Sequence, residues 1–146
     1  MLVEAMVERK TLKVAHASGE IKEIILSISR GDPCVLEVEE VDGHRRRAEA
    51  SDLFECLVRI RSDLEGDGAK VLCNGARLDA YPSRMAREMG GGKKVYLMRM
   101  GEQARPEDLV NTFDEAPIEK IGSVVDQREY FVRWLQSAKP LDPRRG

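Results

Sequence analysis

Three cysteines, two histidines and a run of three glycines are the residues of this chain whose types could do chemistry. Cys73 would be the nucleophile of a thiol mechanism, which needs a base within hydrogen-bond reach and a third group to orient that base. His16 and His44 are the only imidazoles. His44 falls on a turn and His16 on a strand with no partner near it in sequence, so an ordinary surface or half-buried histidine is the plainer reading of each. Cys34, Cys56 and Cys73 are 22 and 17 residues apart. No histidine stands at ligand spacing from another, so no metal site and no cofactor are expected.

Gly90, Gly91 and Gly92 before Lys93 invite comparison with a phosphate-binding loop. That motif needs a glycine where Arg87 stands and a serine or threonine where Lys94 stands. The glycines also follow a helical segment and precede a strand, the reverse of the order that aims a helix N-terminus at a phosphate. No serine sits in a nucleophile elbow. The paired acids Glu39-Glu40 and Asp114-Glu115 are adjacent, and neighbours in an extended chain point opposite ways, a poor geometry for acid–base work.

The elements that would position these residues centre on residues 70–100. Val71, Leu72 and Cys73 form a short apolar run ended by Asn74-Gly75, both tolerant of left-handed backbone. Pro82 suits the start of a helix, Met85 and Met89 share one face of it, and Gly90 stops it. Val95 to Met98 restarts a strand. The 21 residues between Cys73 and Val95 suffice for a right-handed crossover, which predicts two parallel strands. Ligands in such units sit at the strand ends, here Cys73, Asn74, Gly75, Asp79 and Tyr81, and this crevice is the alternative reading: a small enzyme or ligand-binding protein.

Earlier in the chain, Met1 to Glu8 fits either a strand or an irregular start. Thr11 to Ala17 alternates as a strand, with Leu12, Val14 and His16 on one face. Ile21, Ile24, Ile25 and Ile28 recur at helical spacing between Ser18, a good N-cap, and Gly31, which predicts a helix. Cys34–Val41 and His44–Ala50 flank Asp42-Gly43, a two-residue hairpin signal that sets Glu40 opposite Arg45 and Glu39 opposite Arg46. The arginine run 45–47 is then largely neutralised across the hairpin. Asp52 caps the next helix, with Glu55 completing the box and Leu53, Cys56, Leu57, Ile60 and Leu64 as its buried stripe. Pro106 opens a short helix carrying Leu109, Val110 and Phe113. A final helix from Ser123 places Val124, Phe131 and Leu135 on one face beside Tyr130 and Trp134, and the tail from Lys139 is expected to be disordered.

At 146 residues one domain is expected, 1–138, with 139–146 as the tail. Residues 1–100 carry 17 acids and 17 bases; residues 101–120 carry six acids against Arg105 and Lys120. Without a dominant basic surface, nucleic-acid binding has little electrostatic support. No apolar run is long enough to span a membrane, and an odd number of unpaired-looking cysteines fits reduced thiols in a cytoplasmic protein.

With Cys73-Asn74-Gly75-Ala76-Arg77, Tyr81-Pro82-Ser83, Met89-Gly90-Gly91-Gly92, Asp108-Leu109-Val110 and Phe113-Asp114, the chain resembles small stand-alone bacterial proteins, some of which are immunity proteins of polymorphic or contact-delivered toxin systems. The likeness covers mainly residues 71–115 and lies in size, layout and loop pattern. It implies a stoichiometric protein binder that covers a toxin's active site and does no chemistry of its own. The expected fold is α+β, a mixed sheet of about five strands containing one hairpin and one βαβ unit, with packed helices. The expected partner contacts are Glu107, Asp108, Asp114 and Glu115, whose charge would complement a basic partner, with Tyr81 and Arg84 as anchors. A homodimer through Tyr130 and Trp134 is the remaining possibility.

Overall fold

Alternation rather than helical spacing organises the first half of the chain. The computed structural model describes residues 7–137; the opening segment before Val7 and the expected disordered tail, 139–146, lie outside the described residues. Four strands follow one another: β1 (Val7–Ala15), β2 (Ile21–Ser29), β3 (Cys34–Glu40) and β4 (Arg45–Ala50). Helix α1 (Leu53–Gly66) packs against this sheet, and β5 (Lys70–Val71) returns beside β1. The strand order is β4-β3-β2-β1-β5 and every pairing is antiparallel.

The helix expected between Ser18 and Gly31 is therefore strand β2. Ile24, Leu26 and Ile28 are 1%, 0% and 2% exposed, whereas Ile21 and Ile25, which completed the helical pattern, are 52% and 47% exposed on the other face. Branched isoleucines favour extended backbone, and partners on both sides satisfy the strand's amides and carbonyls. Ser18 caps no helix; its hydroxyl accepts from the Glu20 amide inside the β1–β2 turn.

The β3–β4 hairpin forms where Asp42-Gly43 predicts it, one residue out of the expected register. Its loop has three residues, not two. The Glu40 amide donates to the His44 carbonyl at 2.8 Å, the Gly43 amide donates to the Glu40 carbonyl at 2.9 Å, and Gly43 takes φ +89°. This is a type I turn closed by a glycine bulge. Glu39 consequently faces Arg45, and Glu37 faces Arg47. The core selects this register, because it sets Ala48 and Ala50 beside Leu36 and Cys34 on the buried face; a one-residue slip would turn the arginines inward.

Asp52 caps α1 as expected, accepting from the Glu55 amide at 2.8 Å. The predicted stripe of Leu53, Cys56, Leu57, Ile60 and Leu64 is buried against the sheet. Each such side chain contributes roughly 1.5–3 kcal/mol of burial. The Gly91 carbonyl accepts from the Leu53 amide at 2.7 Å. The glycine run that follows α2 (Arg84–Glu88) thus closes the exposed start of α1, where backbone N–H groups lack helical partners.

The expected parallel unit does not form. β5 belongs to the first sheet and runs antiparallel to β1, whereas β7 (Lys94–Leu97) lies between β6 (Ala80–Tyr81) and β8 (Leu109–Asn111) in a separate antiparallel sheet. Residues Asn74–Ala76 tighten into a single 3-10 turn, so the chain leaves the first sheet there, and the Ala80–Tyr81 pair claims the edge of β7. The mixed sheet is corrected to two antiparallel sheets; the α+β class stands. The helix expected after Pro106 is a 3-10 turn over Pro106–Asp108, followed by β8, because Leu109 and Val110 pair with Tyr96 and Val95.

Helix α3 (Val124–Ser137) starts where predicted and covers the second sheet. Phe131 stacks on Tyr81 with ring centroids 4.0 Å apart, and Tyr81 meets Phe54 edge-on at 5.0 Å. The Tyr130 hydroxyl donates to the Met98 carbonyl and the Trp134 indole N–H to the Glu102 carbonyl. Beneath α3 lies a feature that no periodicity announces. Arg61, on α1, is 3% exposed, and Gln127, on α3, is 1% exposed. Arg61 donates to Gln127 Oε1 at 2.6 Å and to the Gly122 carbonyl at 2.8 Å. Gln127 Nε2 in turn donates to the carbonyls of Gly75, Arg77 and Ala80. Burial lowers the pKa of the Arg61 guanidinium from its ordinary value, with Cys73 and Glu65 opposing that shift.

Candidate interaction surface

The strand registers write out the solvent face of the first sheet as a grid. One row across β1, β2, β3 and β4 is Arg9, Ser27, Glu37 and Arg47; the next is Thr11, Ile25, Glu39 and Arg45. Because alternate residues of a strand point to opposite faces, Arg45 and Arg47 lie on this face, while Arg46 turns to α1 and its far end and pairs with Asp63 at 2.9 Å and Asp67 at 3.0 Å. On the grid Arg47 meets Glu37 at 3.3 Å and Arg45 meets Glu39 at 3.5 Å. Glu49, its strongest partner, and Glu37 raise the pKa of Arg47 above its ordinary value. Arg9 makes no ion pair among the described residues. A cleft of about 360 Å³ runs over Ile25 and Ser27, with Arg9 on one side and Glu37, Glu39, Arg45 and Arg47 on the other. Ile25 is thus an exposed apolar centre with a rim of arginines and glutamates, the arrangement of apolar core and polar rim that protein interfaces share.

The residues singled out from the sequence are not brought to one place. Tyr81 is 8% exposed, its ring held between Phe54 and Phe131, and its hydroxyl accepts from Arg128. Arg84 is open to solvent at the start of α2 and pairs with Glu88, four residues on. Asp114 pairs with Lys10, whose hydrogen bond is the largest cause holding its carboxyl below the ordinary carboxylate range. Glu115 pairs with Lys13 at 3.1 Å. Asp108 accepts from the Arg105 amide and lies 3.7 Å from Arg99. Glu107 is exposed on the same 3-10 turn. Four of the six acids of the segment are thus neutralised, by Lys10 and Lys13 of β1 and by Arg99 and Arg105. The aromatic pair Tyr130 and Trp134 faces the second core; the apolar residues α3 leaves outward are Val125, Val132 and Leu135.

Cys73 and Asn74 close a packed corner. The Cys73 thiol is fully buried, and burial pushes its pKa up to about 11. Burial also raises Cys56 to about 11. Asn74 donates to the Asn111 carbonyl, and Arg77 holds Asp79 with two bonds of 2.8 Å. β5 runs antiparallel to β1 with Val71 opposite Val14, which carries Cys73 away from His16. Both cysteines stay protonated when folded and ionise near the ordinary thiol value when unfolded. Their contribution to stability is therefore complete below about pH 9 and is lost as the pH rises toward 11. We expect Cys56 and Cys73 to resist a thiol-modifying disulfide reagent at pH 8 in the folded protein and to react in denaturant; rapid native labelling of both would contradict this placement.

The helical spacing of Ile21, Ile24, Ile25 and Ile28 hides the place of Ile25 on this face, and with it the row that carries Arg9. Once residues 21–29 alternate as a strand, the position of Ile25 opposite Glu39 follows from parity alone. No described helix is long and apolar enough to cross a membrane. No protein-family model matches the chain, and a search of curated proteins finds no match.

Proposed function

We propose that this chain is a non-catalytic protein-binding module, an inhibitor of the immunity type, which covers its partner's active site with the solvent face of the five-stranded sheet. The observation that carries the reading is Ile25, 47% exposed at the centre of that face and flanked by Arg9, which makes no ion pair among the described residues, and by the ion pairs of Glu37 and Glu39 with the β4 arginines. Charged rows set the orientation of a partner and raise its association rate, and a desolvated apolar centre with an arginine beside it supplies the affinity. A rigid antiparallel meander backed by α1 presents those groups at little ordering cost. The partner would offer an apolar knob for the cleft and a carboxylate for Arg9. Burial of Cys56 and Cys73, and the internal pairing of Asp79, Asp108 and Asp114, leave these groups in structural roles.

Co-expression with the product of the adjacent reading frame tests this. The wild-type chain should relieve growth inhibition by that product and co-elute with it as an equimolar complex. The double variant Arg9→Glu, Ile25→Asp should keep its melting temperature within a few degrees and bind at least ~100-fold more weakly, as expected for central contacts. A product without toxicity, or a double variant that protects as well as wild type, would remove the proposal.

A further inference from the structure

Both histidines of the chain line one cleft at one end of the first sheet. The β1–β2 and β3–β4 loops share a backbone pattern. The His16 amide donates to the Glu20 carbonyl and the Gly19 amide to the His16 carbonyl, as Glu40, Gly43 and His44 do in the second loop, and Gly19 and Gly43 both take φ +89°. One loop therefore begins on His16 and the other begins on Glu40 and ends on His44. All three lie on the helix-facing side of the sheet by parity, one step beyond Val14, Val38 and Arg46. The buried face thus changes at its mouth from aliphatic side chains to imidazole and carboxylate.

That mouth is a cleft of about 220 Å³ lined by His16, Glu40, Asp42 and His44 together with Leu64 and Asp67 at the far end of α1. Ligating atoms of Glu40, Asp42 and His44 all lie within 4.8 Å of one another. Tetrahedral coordination at roughly 2.0–2.2 Å brings donor atoms to about 3.4 Å apart, so side-chain rotation within the β3–β4 loop closes the gap among these three, and His16 lines the same cleft from the β1–β2 loop. The cations that face the cleft have partners of their own: Arg46 is held by Asp63 and Asp67, and Lys22 lies 3.7 Å from Glu20. Asp42 and His44 are exposed, which gives an ion a path in, and Glu40 and His16 are half-buried behind them.

The geometry points to a site for one divalent transition-metal ion held by His16, Glu40, Asp42 and His44. Two imidazoles with two carboxylates suit zinc, cobalt, nickel or copper and disfavour magnesium and calcium, which take oxygen donors. The site joins the two hairpin loops, so an ion there would clamp the open end of the sheet. It stands on the opposite face from Ile25 and does not rest on the inhibitor reading.

Titration calorimetry with zinc chloride, on the full chain without an affinity tag, tests the site, with cobalt absorption as the second readout. One equivalent of zinc should bind, and cobalt should develop visible bands of a tetrahedral complex without thiolate charge transfer. His16→Gln and His44→Gln should each weaken binding about tenfold or more, and both variants should keep the wild-type circular dichroism. Absence of saturable binding, or binding indifferent to either histidine substitution, would overturn the site.

Discussion

Arg61→Ala should lower the unfolding free energy by about 3 kcal/mol, a loss read as a shift of the urea midpoint with unchanged slope. The guanidinium fills the junction of α1, the Asn74–Ala76 turn and α3, and its removal strands Gln127 Oε1, which is buried, and the half-buried Gly122 carbonyl. A buried acceptor without a donor costs about 1–3 kcal/mol, and lost packing of the long side chain adds to this. Arg61→Met separates the two contributions, because it restores most of the volume and none of the hydrogen bonds. If Arg61→Met proves as stable as wild type, the polar node contributes nothing and the side chain acts by bulk alone. Arg61→Lys should fall between, since an ammonium cannot fork to Gln127 and Gly122 in one plane.

Gly92→Ala is expected to be comparably damaging, about 3 kcal/mol, for a backbone reason. Gly92 holds φ +76°, and a Cβ there would lie 2.6 Å from the Phe54 amide nitrogen and 3.0 Å from Asp52 Oδ1. The left-handed conformation alone costs an alanine roughly 1–2 kcal/mol. The remainder comes from pushing the glycine run off the start of α1, which would also disturb the Gly91 cap on Leu53. Gly43→Ala is the matched control: φ is +89° and nothing lies within 4 Å of the added carbon. It should show the conformational cost without the collision. Equal losses for Gly92→Ala and Gly43→Ala, measured by thermal or denaturant unfolding, would mean that the contact with α1 carries no energy.

The parts of this fold that were legible in the sequence are those with local causes. Asp52 before an apolar stripe announces α1, Asp42-Gly43 announces a hairpin, and Ser123 announces α3; each element forms within a residue or two of its signal. Elements decided by distant partners were not legible. The isoleucines of β2 satisfy helical spacing and strand alternation equally well, and only β1 and β3 on either side resolve the ambiguity. The second sheet depends on Ala80 and Tyr81 finding Leu97 and Tyr96, which no local pattern encodes. Of the expected contact residues, Asp114 and Glu115 looked free because their neutralising partners, Lys10 and Lys13, lie about a hundred residues away.

Helix α1 faces two cores at once. Leu57, Ile60 and Leu64 belong to the first, while Phe54 and Val58 belong to the second, beside Tyr81, Val95 and Phe131. Phe113, just after β8, makes the return loan to the first core. A chain cut anywhere between the two sheets would therefore leave an aromatic ring uncovered on one fragment and a hole in the other. Neither piece is an independent unit for expression or for fusion.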